Sequence, residues 1–91
     1  MFVLVVQEGA VPREYPLKEG VNLLGRGPHC DIVLRDESIS RNHARLSVRG
    51  NTLSVTDLGS SNGTFLRVRG SRTLVSGDLL LMGQQLFRLQ L

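Results

Sequence analysis

The chain has no tryptophan, one cysteine, one lysine and only four aromatic side chains among its 91 residues. Because aromatic residues are scarce, a hydrophobic core has to be built mainly from leucine, valine and isoleucine. A single cysteine excludes an internal disulfide and a zinc site made of several cysteines. No stretch approaches the roughly 20 consecutive apolar residues of a membrane-spanning helix, and the apolar opening lacks the basic leader of a secretory signal. These absences exclude the disulfide-rich, zinc-finger and helical membrane classes.

What is present fits a small globular domain. Hydrophobic residues make up 41% of the chain and charged residues 21%, which is typical of folded domains. The length suits one domain with a modest core, so we expect residues 1–91 to form a single domain, one module of a longer protein. Cys30 is predicted to be a buried, small apolar side chain. A lone free thiol is typical of a reducing compartment, which predicts a cytoplasmic location.

The positive charge of the chain is almost all arginine. Ten arginines and one lysine give a net charge of +3. Basic surfaces neutralise nucleic-acid phosphates, but domains that bind single strands interleave such residues with exposed stacking aromatics. Here the arginines are spread along the chain, and Tyr15 is the only aromatic outside a core-like strand pattern. No nucleic-acid partner is therefore expected, and nucleic-acid binding by a small basic β-domain stays open as an alternative.

Apolar and polar residues alternate through most of the chain, and no window has the 3.6-residue period of a helix. Short strands are predicted at 2–7, 15–18, 21–25, 32–34, 43–49, 52–57, 63–69, 72–74, 79–82 and 86–91. The residues predicted to point into the core are Ala44, Leu46, Val48, Leu53, Val55, Phe87, Leu89 and Leu91. About eleven short strands at regular spacing predict an all-β chain folded as a two-sheet antiparallel β-sandwich.

Three polar segments lie in predicted loops between these strands: Gly25-Arg26, Ser40-Arg41-Asn42-His43 and Ser61-Asn62-Gly63-Thr64. The loops are alternate connections, so all three can lie at the same end of a sandwich. Guanidinium, hydroxyl and amide groups are donors that suit a phosphate. No carboxylate pair, metal-ligand cluster or activated nucleophile accompanies them. The segments therefore predict binding of a phosphorylated group rather than its chemical conversion.

Enzymatic interpretations of these segments find little support. Ser61 stands in a G-x-S-x-G pattern, but that hydrolase motif needs a helix after the serine, and the residues that follow are β-rich. The Gly25-x-Gly27 pair is followed by no helix that would bind a dinucleotide. Cys30 is followed by a predicted strand rather than by the phosphate-binding loop of a cysteine phosphatase. We therefore expect no catalytic residue, no metal and no cofactor.

In this order, and in an all-β chain of this length, the three polar segments resemble the forkhead-associated (FHA) domain. The resemblance covers nearly the whole chain, because Asp31–Leu34, Val55–Leu58, Gly77-Asp78 and the closing strand also fall in family order. It implies an eleven-stranded β-sandwich that binds phosphothreonine peptides through loops at one end. It also implies an interaction module that is not an enzyme and that docks phosphorylated partners in Ser/Thr kinase signalling.

The resemblance implies a role for each candidate binding residue. Arg26 would grip the phosphate, and Ser40 would donate its hydroxyl to a phosphate oxygen. Arg41 lies where FHA domains often have a further phosphate contact. Ser61 would frame the pocket for the threonine methyl group, and Asn62 would hydrogen-bond the peptide backbone beside the phosphothreonine.

Three further residues are expected to support the site structurally. Gly25 is predicted to adopt a positive φ that other residues resist. His43 is predicted to hold the loops together through hydrogen bonds, and Gly63 completes an Asn-Gly turn. A scaffold or oligomerisation module that keeps only a vestigial phosphate site remains a further alternative.

Overall fold

The computed structural model describes residues 1–7 and 10–90 of the chain. In these residues it has no helix and eight strands, which are β1 Val3–Val6, β2 Arg13–Pro16, β3 Gly20–Gly25, β4 Ile32–Val33, β5 Ala44–Arg49, β6 Thr52–Asp57, β7 Leu79–Met82 and β8 Gln85–Arg88. The all-β prediction is confirmed. The predicted number of about eleven strands is too high for the described residues, because 63–69 and 72–74 form no strand.

The strands form three hydrogen-bonded sheets, of order β1-β2, β4-β3-β5-β6 and β7-β8. Four of the five strand pairs are antiparallel, as predicted. The exception is β3 with β4, which run parallel because the loop between them brings the chain back alongside β3 in the same direction. No ladder joins β7-β8 to the other strands within the described residues, so the hydrogen-bonded sheets there number three.

In the hairpin of β5 and β6, the second strand has the bounds that the alternation predicts, Thr52–Asp57. Its ladder runs from Ala44 opposite Asp57 to Arg49 opposite Thr52. The turn between the strands contains Gly50, whose φ of 61° lies in the left-handed region that glycine adopts without strain. This register places alternate residues of β5 on the same face of the sheet as the residues of β6 that lie opposite them.

The buried core lies on one face of the four-stranded sheet, where it contacts the β1-β2 hairpin and its flanks. Its buried members are Leu17, Ile32, Leu34, Leu46 and Val48, and the side chains packed against them are Phe2, Leu4, Val6, Tyr15, Leu24 and Ile39. Ala44, Leu46 and Val48 point inward as predicted, and Cys30 is buried as predicted. The buried members of the core are thus all aliphatic.

The predicted burial is wrong for β6 and for part of the closing strand. Leu53 is 38% exposed, Val55 is 56% exposed and Phe87 is 44% exposed. β6 is the last strand of its sheet, and residues 64–75 form no strand that would add a layer over it. Leu89 is half-buried, and Leu91 lies outside the described residues.

Candidate functional site

The register of the four-stranded sheet gathers the three polar loops. The end of β3 lies opposite the beginning of β5, with Leu24 beside Ala44. The beginning of β5 lies opposite the end of β6, with Ala44 beside Asp57. All three loops, 26–31, 34–43 and 58–63, therefore lie at the same end of the sheet.

Arg26 is anchored to the loop before β5 through both backbone and side chain. Its amide N–H donates to the carbonyl oxygen of Ser40 at 2.9 Å, and its Nε donates to the carbonyl oxygen of Ile39 at 3.0 Å. The residue is exposed. In the described part of the chain the two Nη groups have no hydrogen-bond partner, so the guanidinium is held at Nε and has its outer donors directed to solvent.

Ser40 and Asn62 connect the other two loops. The hydroxyl oxygen of Ser40 accepts the backbone N–H of Ser61 at 3.1 Å, which leaves the proton of that hydroxyl available to an outside acceptor. The side-chain amide of Asn62 donates to the carbonyl oxygen of Ser38 at 2.8 Å. The structure therefore brings Arg26, Ser40, Ser61 and Asn62 to one exposed end of the sheet.

His43 is buried and bridges two loops with both ring nitrogens. Nδ1 accepts the backbone N–H of Ser40 at 3.1 Å, and Nε2 lies 3.0 Å from the carbonyl oxygen of Gly63. Because a carbonyl oxygen only accepts, Nε2 carries the proton in this arrangement. The imidazole thereby links the backbone of Ser40 to that of Gly63. Gly63 has a φ of 87°, in the left-handed region that favours glycine.

We expect His43→Ala to lower the free energy of unfolding by about 1–3 kcal/mol, because two partly buried backbone groups lose their partner. Urea denaturation of the wild type and the variant measures the change. His29→Ala is the matched control, since it removes an exposed imidazole from the same end of the protein. Equal unfolding free energies for the wild type and His43→Ala would contradict a structural role for this histidine.

Gly25 is required for a reason other than the predicted one. Its φ is not positive. Instead, a Cβ atom at this position would lie 2.1 Å from the carbonyl oxygen of Arg41 and 3.0 Å from Sγ of Cys30. Glycine is needed because the backbone of the neighbouring loop passes directly over its Cα.

Arg41 has a fixed backbone and a free side chain. Its carbonyl oxygen accepts the backbone N–H of Gly27 at 3.1 Å and the thiol of Cys30 at 3.1 Å. Its guanidinium is exposed and has no hydrogen-bond or ion-pair partner among residues 1–7 and 10–90. The ring of His29 contacts the side-chain oxygen of Asn42 between the same two loops. A second cation is therefore available at the same end as Arg26.

The carboxylate of Asp57, a residue that the sequence predicts to end a strand and begin a loop, orders loop 58–63. Asp57, the last residue of β6, accepts hydrogen bonds from the hydroxyls of Ser60 at 2.6 Å and Thr64 at 2.7 Å. It also accepts the backbone N–H groups of Ser60 at 3.0 Å and Gly59 at 3.1 Å. These bonds, led by that from the Ser60 hydroxyl, lower the pKa of Asp57 from 3.8 to about 2.

This low pKa predicts a pH-dependent contribution to stability. A depressed folded-state pKa means that ionised Asp57 stabilises the fold fully above its unfolded pKa of about 3.8, and that this contribution disappears as the pH falls towards about 2. Melting temperatures of the wild type and Asp57→Asn should therefore differ most at neutral pH and converge in this acidic window. The other acidic groups are common to both proteins, so a difference that stays constant down to pH about 2 would contradict the assignment.

Comparison with known proteins identifies the family. The model of the FHA domain family matches residues 22–83, a range that contains all three loops and the strands between them. The chain belongs to the FHA domain family. FHA domains are protein-interaction modules that bind phosphothreonine peptides, so the function predicted from the motif resemblance is confirmed at the level of the family.

The FHA domain is similar to curated proteins of Mycobacterium tuberculosis. It is 48% identical over 64 residues to the FHA domain-containing protein FhaB of Mycobacterium tuberculosis, covering 69% of this chain and 41% of that protein. It is 36% identical over 90 residues to the glycogen accumulation regulator GarA of the same species, covering 96% of this chain and 54% of that protein. The chain thus spans about half the length of the curated relatives it matches.

Solved structures show the same fold. The FHA domain superposes with a TM-score of 0.65 and 27% identity on an FHA domain studied for its phosphothreonine-dependent interactions, covering 98% of this chain and 93% of that one. It superposes with a TM-score of 0.60 and 34% identity on Mycobacterium tuberculosis EmbR in complex with a low-affinity phosphopeptide, covering 97% of this chain and 24% of that one. The predicted sandwich class is confirmed. Within the described residues, no helix has the length and apolar character needed to cross a membrane.

Proposed function

We propose that this FHA domain docks phosphothreonine-containing partner proteins through the loop end formed by Arg26, Ser40, Arg41, Ser61 and Asn62. The observation that carries the proposal is the gathering of these residues from three loops onto one exposed surface, with Arg26 anchored through Nε and its outer donors free. A donor-rich surface on rigid strands is suited to binding an anion.

Each side chain has a distinct part in this proposal. Phosphothreonine carries about −1.5 to −2 charges and three acceptor oxygens at neutral pH. The free Nη groups of Arg26 would donate to two of those oxygens as a pair, and Arg41 would supply a second permanent positive charge. The hydroxyl of Ser40, whose oxygen is occupied by the N–H of Ser61, would donate its proton to a third oxygen.

Asn62 would bind the peptide rather than the phosphate. Its Nδ2 is used once, towards Ser38, so one amide hydrogen and the side-chain oxygen remain for an extended backbone. Ser61 precedes it and would frame the pocket for the threonine methyl group. A ligand held at the phosphate and at the adjacent backbone would be fixed in direction.

The proposal extends to the role of the chain in its host protein. The domain acts as an interaction module without catalytic chemistry of its own, in the reducing interior of the cell, where Ser/Thr kinases phosphorylate its partners. Residues 1–91 constitute one such module of a longer protein. Tyr15, the one aromatic residue considered for stacking on a nucleic-acid base, packs against the core. The Arg13 guanidinium also lies 5.5 Å from the centre of its ring. Both observations disfavour the nucleic-acid alternative.

The experiment that tests this function is a set of three titrations. A phosphothreonine-oriented peptide library first selects a ligand, which is then compared by calorimetry with its unphosphorylated twin and with a single-stranded oligonucleotide. We expect binding only to the phosphopeptide. Equal affinity for both peptides would contradict phosphate recognition, and a preference for the oligonucleotide with a steep dependence on salt would favour the nucleic-acid alternative.

A further inference from the structure

The loop before β5 contains a tight turn that is folded around one carboxylate. Oδ1 of Asp36 accepts the backbone N–H of Ser38 at 2.9 Å and the hydroxyl of Ser38 at 2.7 Å. The carbonyl oxygen of Asp36 accepts the N–H of Ile39 at 3.0 Å. An aspartate that binds the backbone two residues ahead forms an Asx turn, which fixes the direction of the peptide groups that follow.

The two carbonyl groups that follow this turn hold side chains from the other two loops. The carbonyl oxygen of Ser38 accepts Nδ2 of Asn62 at 2.8 Å. The carbonyl oxygen of Ile39 accepts Nε of Arg26 at 3.0 Å. One short turn therefore anchors both the proposed phosphate-binding guanidinium and the proposed peptide-binding amide.

A carboxylate at this place has no direct benefit for an anionic ligand. The hydroxyl and the N–H of Ser38 keep the pKa of Asp36 below its usual value, so the group is charged at neutral pH. A negative charge beside a phosphate site weakens binding through repulsion. Among the described residues, Asp36 has no ion-pair partner. Any favourable contribution of Asp36 to phosphate binding therefore comes through the turn.

We propose that Asp36 is a positioning residue that orients Arg26 and Asn62 for phosphopeptide binding, an inference that rests on the function proposed above. Without its side chain, Ser38 loses two hydrogen bonds, and the turn keeps only the backbone bond from the N–H of Ile39 to the carbonyl oxygen of Asp36. The carbonyl groups that accept Arg26 and Asn62 are then held less firmly. Both side chains would have to be ordered when the ligand binds, at a cost in conformational entropy that the wild type avoids.

The affinity of the selected phosphothreonine peptide for three variants tests this role. We expect Asp36→Ala to weaken binding about tenfold, because two anchoring bonds of the turn are lost. Asp36→Asn should stay within about threefold of the wild type, since its amide oxygen can accept the same two donors. Glu37→Ala is the matched control. It removes the same charge from the next residue, whose exposed side chain has no partner among the described residues, and should change affinity by less than about twofold.

A second measurement needs no ligand. In 15N-labelled protein, Asp36→Ala should shift and broaden the Nε–H resonance of Arg26 and the side-chain amide resonances of Asn62, whereas Asp36→Asn and Glu37→Ala should leave them near their wild-type positions. Unchanged resonances in Asp36→Ala, or unchanged affinity, would overturn the positioning role. A wild-type chain that binds no phosphopeptide would refute the proposed function, while the resonances would still decide whether Asp36 orders the two side chains.

Discussion

Replacing Arg26 by alanine is expected to bring phosphopeptide binding below detection while the fold remains intact. The ligand carries about two negative charges, and Arg26 is the anchored permanent cation at the loop end. Losing one charge-assisted hydrogen-bonded contact costs about 1.5–3 kcal/mol, a factor of roughly ten to over a hundred in affinity. Ser40→Ala should cost less, because only a neutral donor is removed.

The fold should tolerate Arg26→Ala because the side chain is exposed and its single internal bond goes to a backbone carbonyl. The backbone bond from residue 26 to Ser40 does not depend on the side chain. Calorimetry measures affinity, and thermal unfolding by circular dichroism checks the fold. Arg49→Ala is the matched control, since it removes an equal exposed charge at the opposite end of β5. An equal loss of affinity in both variants would indicate diffuse electrostatic attraction instead of a specific site.

Replacing Gly25 by alanine is expected to cause the largest loss of stability among single substitutions at the site, about 3 kcal/mol. The added Cβ would lie 2.1 Å from the carbonyl oxygen of Arg41, so the backbone of one of the two loops must move. That movement would disturb the bond from Gly27 to the same carbonyl. Urea denaturation measures the change in the free energy of unfolding.

Gly50→Ala separates this contact from the ordinary cost of replacing a glycine. Gly50 has a φ of 61° and no atom within 4 Å of a Cβ placed on it. Its replacement should therefore cost only the strain of the left-handed conformation, about 1 kcal/mol. If Gly25→Ala proves no more destabilising than Gly50→Ala, the close approach of Arg41 is not what requires glycine at position 25.

Local periodicity was enough to predict the central hairpin. The alternation in 52–57 matches β6 residue for residue, and Ala44, Leu46 and Val48 are buried as it predicts. The position of the loops needed the structure, because loops 26–31 and 34–43 flank a single strand and antiparallel pairing would place them at opposite ends. They lie at the same end because β4 is only two residues long and runs parallel to β3.

Burial on the outer strands could not be predicted in the same way. A period of two shows which residues share a face, but whether that face is covered depends on another layer of the fold. Leu53 and Val55 share a face with buried residues of β5 and are nevertheless exposed, because β6 is an edge strand. The alternation in 63–69 likewise predicts a strand that finds no partner in the structure.

The sequence determines the side-chain chemistry of the candidate site, since an arginine, a serine and an asparagine keep their donors in any fold. The acceptors that orient them are backbone carbonyls of Ser38 and Ile39, and every residue carries such a group. No motif can therefore indicate which carbonyl is used. The same holds for Gly25, where the requirement comes from the path of a distant segment. Composition and spacing determine which groups the chain offers, and the packing of the loops determines which of them become neighbours.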